Sequence, residues 1–265
     1  MPTLQSILIA IVIIAVAFSI AVLVFNYLSL RSKNKTEPKI FRNTSPNYSG
    51  LKQIKEINGN LLEFEANLYK KDSSVGLILG ARGSGKSALG IRIAENFHSK
   101  TNKYIYAIGF SQKDLPPWIK VEEDPEKIRN NSFVLIDEGG VFLSSRDSMK
   151  DINKIVSKII LLARHKDLSI LFITQNSSNI DINTIRQADY LMLKPSSLLQ
   201  LDFERKKIKE IYTEVQKDFE KLKSEKGLFY LYSDEFKGFA GNELPSFWSK
   251  KVSKTLKNKE ISKNY

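Results

Sequence analysis

Hydrophobic and polar positions change texture along the chain. Residues 1–30 carry no charged side chain, and the run Ile7–Leu28 is almost wholly aliphatic. At ~1.5 Å per helical residue such a run crosses a hydrocarbon core of roughly 30 Å, so it predicts one N-terminal transmembrane helix. Thr36–Gly50 is rich in Pro, Asn, Ser and Lys and reads as a tether. Leu51–Leu68 has mixed apolar positions that fit a strand or a short helix. From Ser73 onward, short apolar runs alternate with longer stretches of helical period. The predicted strands are Val75–Leu79, Lys103–Ile108, Phe133–Ile136, Ser169–Thr174 and Tyr190–Leu193. The predicted helices are Lys86–Phe97, a short one near Asp124–Arg129, Met149–Ala163 and Asn183–Ala188. Strands separated by helices predict βαβ units, an α/β fold with a mainly parallel, doubly wound sheet, and a ligand at the carboxyl ends of its strands.

Beyond Pro195 the pattern turns to one highly charged amphipathic helix, Leu198–Lys223. Leu201, Ile208, Tyr212, Val215, Phe219 and Leu222 form its seam, which suits the chain's own core or another subunit. Gly227–Tyr232 reads as a strand, Ser233–Gly241 as a turn region, and the chain closes on a lysine-rich tail. The expected organisation is an anchor (1–30), a basic linker and lead-in (31–72), an α/β core (73–197), a C-terminal helix and strand region (198–248) and a basic tail (249–265).

Charge and composition sharpen this. Arg31, Lys33, Lys35, Lys39 and Arg42 follow the apolar run directly, which puts the N-terminus outside and the body in the cytoplasm. The formal net charge is +12, with much of the excess beside the apolar run and in the tail at Lys250, Lys251, Lys254, Lys257, Lys259 and Lys263. Such an excess suits nucleic acid or an anionic membrane. The chain has no cysteine and 2 histidines, which excludes disulfides and cysteine-ligated zinc and leaves little for a histidine-rich metal site.

The candidate chemistry begins after the first core strand. Gly80, Ala81, Arg82, Gly83, Ser84, Gly85, Lys86 and Ser87 fit the pattern G-x-x-x-x-G-K-[ST] between a strand and a helix. Such a loop cradles phosphates with its backbone N–H groups, Lys86 reaches the β- and γ-phosphates, and the Ser87 hydroxyl ligates Mg²⁺. The strand Phe133–Ile136 ends in Asp137 and Glu138. Asp137 suits the Mg²⁺ shell beside Ser87, and Glu138 suits the orientation and deprotonation of an attacking water. Gln175, at the end of Ile170–Thr174, would emerge beside that strand if the two are neighbours, where its amide could bridge water and γ-phosphate. Trp118, Phe247 and Trp248 stand near prolines, as packed anchors or base-stacking platforms.

The phosphate loop, the Asp137–Glu138 pair, Arg164 and His165 after a helix, the strand ending in Gln175, and Asp181–Asp189 together resemble the FtsK/HerA superfamily of P-loop ATPases. Within it the set is similar to viral genome-packaging ATPases and to zonular occludens toxin-like assembly proteins, although Gly139 and Gly140 stand where the toxin-like proteins carry Ala-His. The resemblance covers roughly Ser73–Leu193. It implies ATP as the nucleotide, Mg²⁺ as cofactor, a hexameric ring that moves DNA or serves assembly or secretion at a membrane, and an arginine supplied by the neighbouring subunit. Arg164 and Arg186 are the candidates for that arginine, with Arg82 a further one for phosphate or subunit contacts.

Overall fold

The computed structural model describes residues 18–20, 22, 24, 45–139, 141, 149–249 and 252–253, without the side chains of 149–153. Most of the apolar run 1–30, the basic linker to residue 44 and the tail from 254 lie outside the described residues. Among the described residues no helix is long and apolar enough to cross a membrane. The chain divides into two units, Met1–Arg42 and Asn43–Tyr265. The second holds all the elements below.

Its strands are β1 (Lys52–Gly59), β2 (Ser74–Leu79), β3 (Tyr104–Ile108), β4 (Ile119–Val121), β5 (Ser132–Asp137), β6 (Leu168–Ile173), β7 (Tyr190–Leu193), β8 (Phe229–Ser233) and β9 (Phe236–Gly241). They form one sheet in the order β1-β9-β8-β7-β2-β6-β5-β3-β4. From β7 to β4 every pairing is parallel, while β8, β9 and β1 add on antiparallel. The helices are α1 (Leu61–Lys70), α2 (Lys86–Lys100), α3 (Met149–His165), α4 (Ile182–Arg186), α5 (Leu198–Asp202) and α6 (Lys206–Lys221).

β2, β5 and β6 are almost wholly buried along their length, as central parallel strands covered on both faces must be. On one face, α3 and α6 pack Val156, Ile159, Ile208, Val215 and Phe219 into a cluster with Leu77, Val134, Ile170 and Phe172. The other face receives α2, with Phe97 stacked on Phe133 at 4.5 Å between ring centroids. Gly90 of α2 brings that helix close to the sheet, since an added Cβ would lie 2.8 Å from methyl carbons of both Ile173 and Leu135.

The five expected core strands form within a residue or two of their expected limits, and the seam of the C-terminal amphipathic stretch faces the chain's own core. Several readings are corrected. Leu51–Leu68 holds both a strand and a helix, β1 and most of α1. Asp124–Arg129 forms only a 3-10 turn at Pro125–Lys127. The expected turn at Ser233–Gly241 contains β9, whose Gly238 lies so close to the β1 backbone that an added Cβ would stand 2.5 Å from the Lys55 carbonyl oxygen. The single helix Leu198–Lys223 is two, because Glu204 turns inward to accept hydrogen bonds from the N–H and hydroxyl of Ser177, and Arg205 takes an extended conformation.

The sheet edges are guarded. β1 carries exposed charged residues and two register shifts against β9, and β4 at the other edge is three residues long. Charge, bulges and brevity are means by which edge strands avoid pairing with other chains.

Candidate functional site

The phosphate loop leaves β2 at its carboxyl end and enters α2. Gly80, Gly83 and Gly85 have φ of +150°, +79° and +92°, values a side chain would strain. A Cβ added to Gly83 or Gly85 would meet nothing within 4 Å, so the loop surrounds open space. Gly85 caps α2 without a side-chain hydrogen bond, and the first turn of α2 contains no acidic residue. The leading N–H groups and the positive end of the helix dipole are thus left to an anion. Lys86 is buried, and its Nζ donates to the carbonyls of Gly80 at 2.8 Å and Ala81 at 2.9 Å. Arg82 is exposed in the same loop.

The neighbouring strands supply the rest. β6 lies between β2 and β5, so the ends of all three meet beside the loop. The Ser87 hydroxyl is 3.4 Å from Asp137 Oδ2. A hydroxyl and a carboxylate this close fit Mg²⁺, which takes one or two protein ligands and completes its shell with phosphate oxygens and water. Among the described residues no cluster of three or more His, Cys, Asp or Glu could hold a metal alone.

The register pairs Asp137 with Ile173, so Glu138 falls opposite Thr174. The Thr174 hydroxyl donates to Glu138 Oε2. Burial pushes the Glu138 carboxyl above the usual carboxylate range, against the hydrogen bonds from Thr174 and Asn179, with the Asp137 charge adding to the rise and Lys86 opposing it. The result is a carboxyl that is buried, oriented and easier to protonate than a free one. Gln175 emerges next, exposed, and its backbone carbonyl accepts the Gln200 side-chain amide from α5.

Arg164 and Arg186 are placed differently. Each is exposed in the last turn of a helix, α3 or α4, just ahead of a strand that runs parallel to β2. Both therefore lie at the amino ends of the parallel strands, opposite the loop of their own chain. Trp118 is a packed anchor, with its ring edge-on to His98 at 5.1 Å and to Phe247 at 6.1 Å. Phe247 is buried and Trp248 half-buried.

α2 is also braced from behind. Arg92 and Glu95 form a buried ion pair at 3.0 Å. Arg92 donates to the carbonyls of Asn47 and Leu244, and Glu95 accepts the backbone N–H groups of Asn47 and Ser246, each at 3.0 Å. The lead-in and the C-terminal segment are thereby fastened to the helix that carries the phosphate loop.

Sequence reasoning missed Thr174, Asn179, Gln200 and the Arg92–Glu95 pair. Thr174 alone left a signal, a polar residue closing an apolar strand. The others act through contacts distant in sequence.

No family model matches the sequence, and no curated protein matches it. Among solved structures, the chain is similar to the genome packaging NTPase B204 from Sulfolobus turreted icosahedral virus 2 in complex with AMPPCP, at 16% identity over 65% of this chain and 99% of that one, with a TM-score of 0.44. It is also similar to EssC (ATPases 2 and 3) from Geobacillus thermodenitrificans, at 11% identity over 84% of this chain and 52% of that one, with a TM-score of 0.42. A further likeness is to the flagellar accessory protein FlaH from Methanocaldococcus jannaschii, at 14% identity over 48% and 76%, with a TM-score of 0.31.

Proposed function

We propose that this chain is a membrane-anchored, Mg²⁺-dependent ATPase that works as an oligomeric motor on DNA from the cytoplasmic face. The observation that carries the hydrolytic part is the register of β5 against β6, which sets Glu138 beside Thr174 while Asp137 meets Ser87 at the loop. The loop N–H groups and Lys86 bind and orient the phosphates. Glu138, held by Thr174, accepts the proton of an attacking water, and Gln175 at the mouth of the site positions that water. Mg²⁺ held by Ser87 and Asp137 would neutralise charge on the β- and γ-oxygens.

The oligomeric part is supported by the arginines. Arg164 and Arg186 lie at the opposite strand ends from their own loop, so either serves a γ-phosphate only in a second copy of the chain, where a guanidinium spreads charge on the transferring group. Anchoring rests on the apolar run Ile7–Leu28 and the basic residues after it. DNA as cargo rests on the net charge of +12 and on the resemblance to packaging ATPases.

The test is ATP turnover by the full chain in detergent, with and without double-stranded DNA, at rising salt. DNA-stimulated turnover that fades with salt, as counterion release requires, supports the motor. Turnover indifferent to DNA but raised by acidic lipid would replace DNA with a protein or virion component as the cargo, in an assembly or secretion ATPase.

A further inference from the structure

β7 ends in a lysine that none of this chemistry uses. Lys194 is 2% exposed. Its N–H donates to the Leu79 carbonyl at 2.7 Å, and the carbonyl of the next residue, Pro195, accepts the Ala81 N–H at 3.0 Å. The residues on either side of Gly80 are thus both bonded to this strand end. Gly80 has no room for a side chain, because an added Cβ would stand 2.6 Å from Lys194 Cβ. The Lys194 carbonyl in turn accepts the Tyr212 hydroxyl of α6 at 3.0 Å.

The side chain leads away from the loop to the antiparallel part of the sheet. Lys194 Nζ donates to the Gly227 carbonyl at 2.7 Å and to Asn242 Oδ1 at 3.2 Å, and lies 5.4 Å from the centre of the Phe229 ring. Among the described residues no carboxylate lies within ion-pair distance of it. The groups facing the amine are neutral, Phe229 of β8, Asn242 after β9 and the carbonyl before β8, while Tyr212 of α6, with Glu204 behind its phenol, bonds the backbone carbonyl. Burial without a counter-charge pushes the amine down to about 7.

We infer that Lys194 is a positioning residue for the phosphate loop: its amine ties Gly227 and Asn242 to the strand end that grips Leu79 and Ala81, and so sets nucleotide affinity. The inference rests on the nucleotide-binding reading above. Hydrogen bonds from a cation are stronger than those from a neutral amine. Protonation therefore tightens the tie. By linkage, nucleotide binding raises the affinity of Lys194 for its proton, and affinity for nucleotide falls as pH rises through the region of 7.

The test measures affinity for a fluorescent ATP analogue on the full chain in detergent, between about pH 6 and about pH 8.5, which spans the region below the ordinary lysine range. Lys194→Met keeps the length and removes the amine, and its profile supplies the baseline for the nucleotide's own ionisation. Wild type should bind severalfold more tightly than Lys194→Met at the acid end, with the ratio falling toward the alkaline end. Asn242→Ala, which keeps the lysine and removes one acceptor, should weaken binding in the same direction. A ratio of one throughout, in a variant with native circular dichroism, overturns the inference. A ratio constant with pH also overturns it, since that marks packing without charge. Absence of any binding sensitive to Lys86→Ala overturns the nucleotide reading as well.

Discussion

The Thr174 hydroxyl donates to the carboxylate of Glu138 across two neighbouring strand ends, although 36 residues separate them in the chain. That bond lowers the proton affinity of a carboxyl that burial raises. Removing it in Thr174→Val takes away one of the groups that oppose burial, beside Asn179 and Lys86, so the Glu138 pKa rises further. In its proposed role Glu138 must be ionised to accept a proton from water, so activity should be lost as pH falls through its pKa. The acid limb of the kcat profile should move to higher pH in Thr174→Val, with the alkaline side unchanged.

Lys86→Ala and Glu138→Gln should separate binding from chemistry. The first removes the cation proposed to meet the phosphates and should weaken nucleotide binding and turnover together. The second keeps shape and hydrogen bonding but cannot take a proton. It should retain nucleotide in equilibrium binding while turnover drops by about a hundredfold or more.

Mixing variants tests the opposed placement of loop and arginines. An Arg164→Ala, Arg186→Ala chain has an intact loop, and a Glu138→Gln chain has intact arginines. Each alone should be inactive. Mixed subunits should regain part of the turnover, because one kind of junction joins an intact Glu138 to intact arginines. No recovery across mixing ratios would remove the role in trans.

Gly76, in the middle of β2, lies under the Tyr190 ring, and an added Cβ would stand 2.2 Å from Tyr190 Cζ. Gly76→Ala should force that ring aside and lower stability by about 1–3 kcal/mol, read as a fall in Tm with turnover per folded molecule preserved.

Breaking the Arg92–Glu95 pair by Arg92→Ala leaves a buried carboxylate without its cation. A loss of about 3–5 kcal/mol is expected. Limited proteolysis should cut near Asn47 or Ser246 sooner than in wild type, because both segments lose a partner.

The phosphate loop and the Asp137–Glu138 strand were legible because each packs its chemistry into a few consecutive residues after an apolar run. Glu138's partner was not, since it depends on β6 inserting between β2 and β5 and on a register that sequence does not carry. The break at Glu204 hid for a related reason. Leu201 and Ile208 stand seven apart, so the apolar phase runs through the break as if the helix continued, while the cause is a hydrogen bond to Ser177 in another loop. β9 hid behind two glycines and a lysine that resemble turn chemistry, although Gly238 serves a close backbone approach to β1.

The clasp on α2 has a mechanical side. Asn47 and Ser246 belong to opposite ends of the folded body, yet both hydrogen-bond to the carboxylate of Glu95. Tension drawn through either end is delivered to α2 within one side chain's length, without crossing the sheet. A load along the lead-in and a load along the tail thus share one point of attachment, two to three helical turns from the glycines of the loop that opens α2.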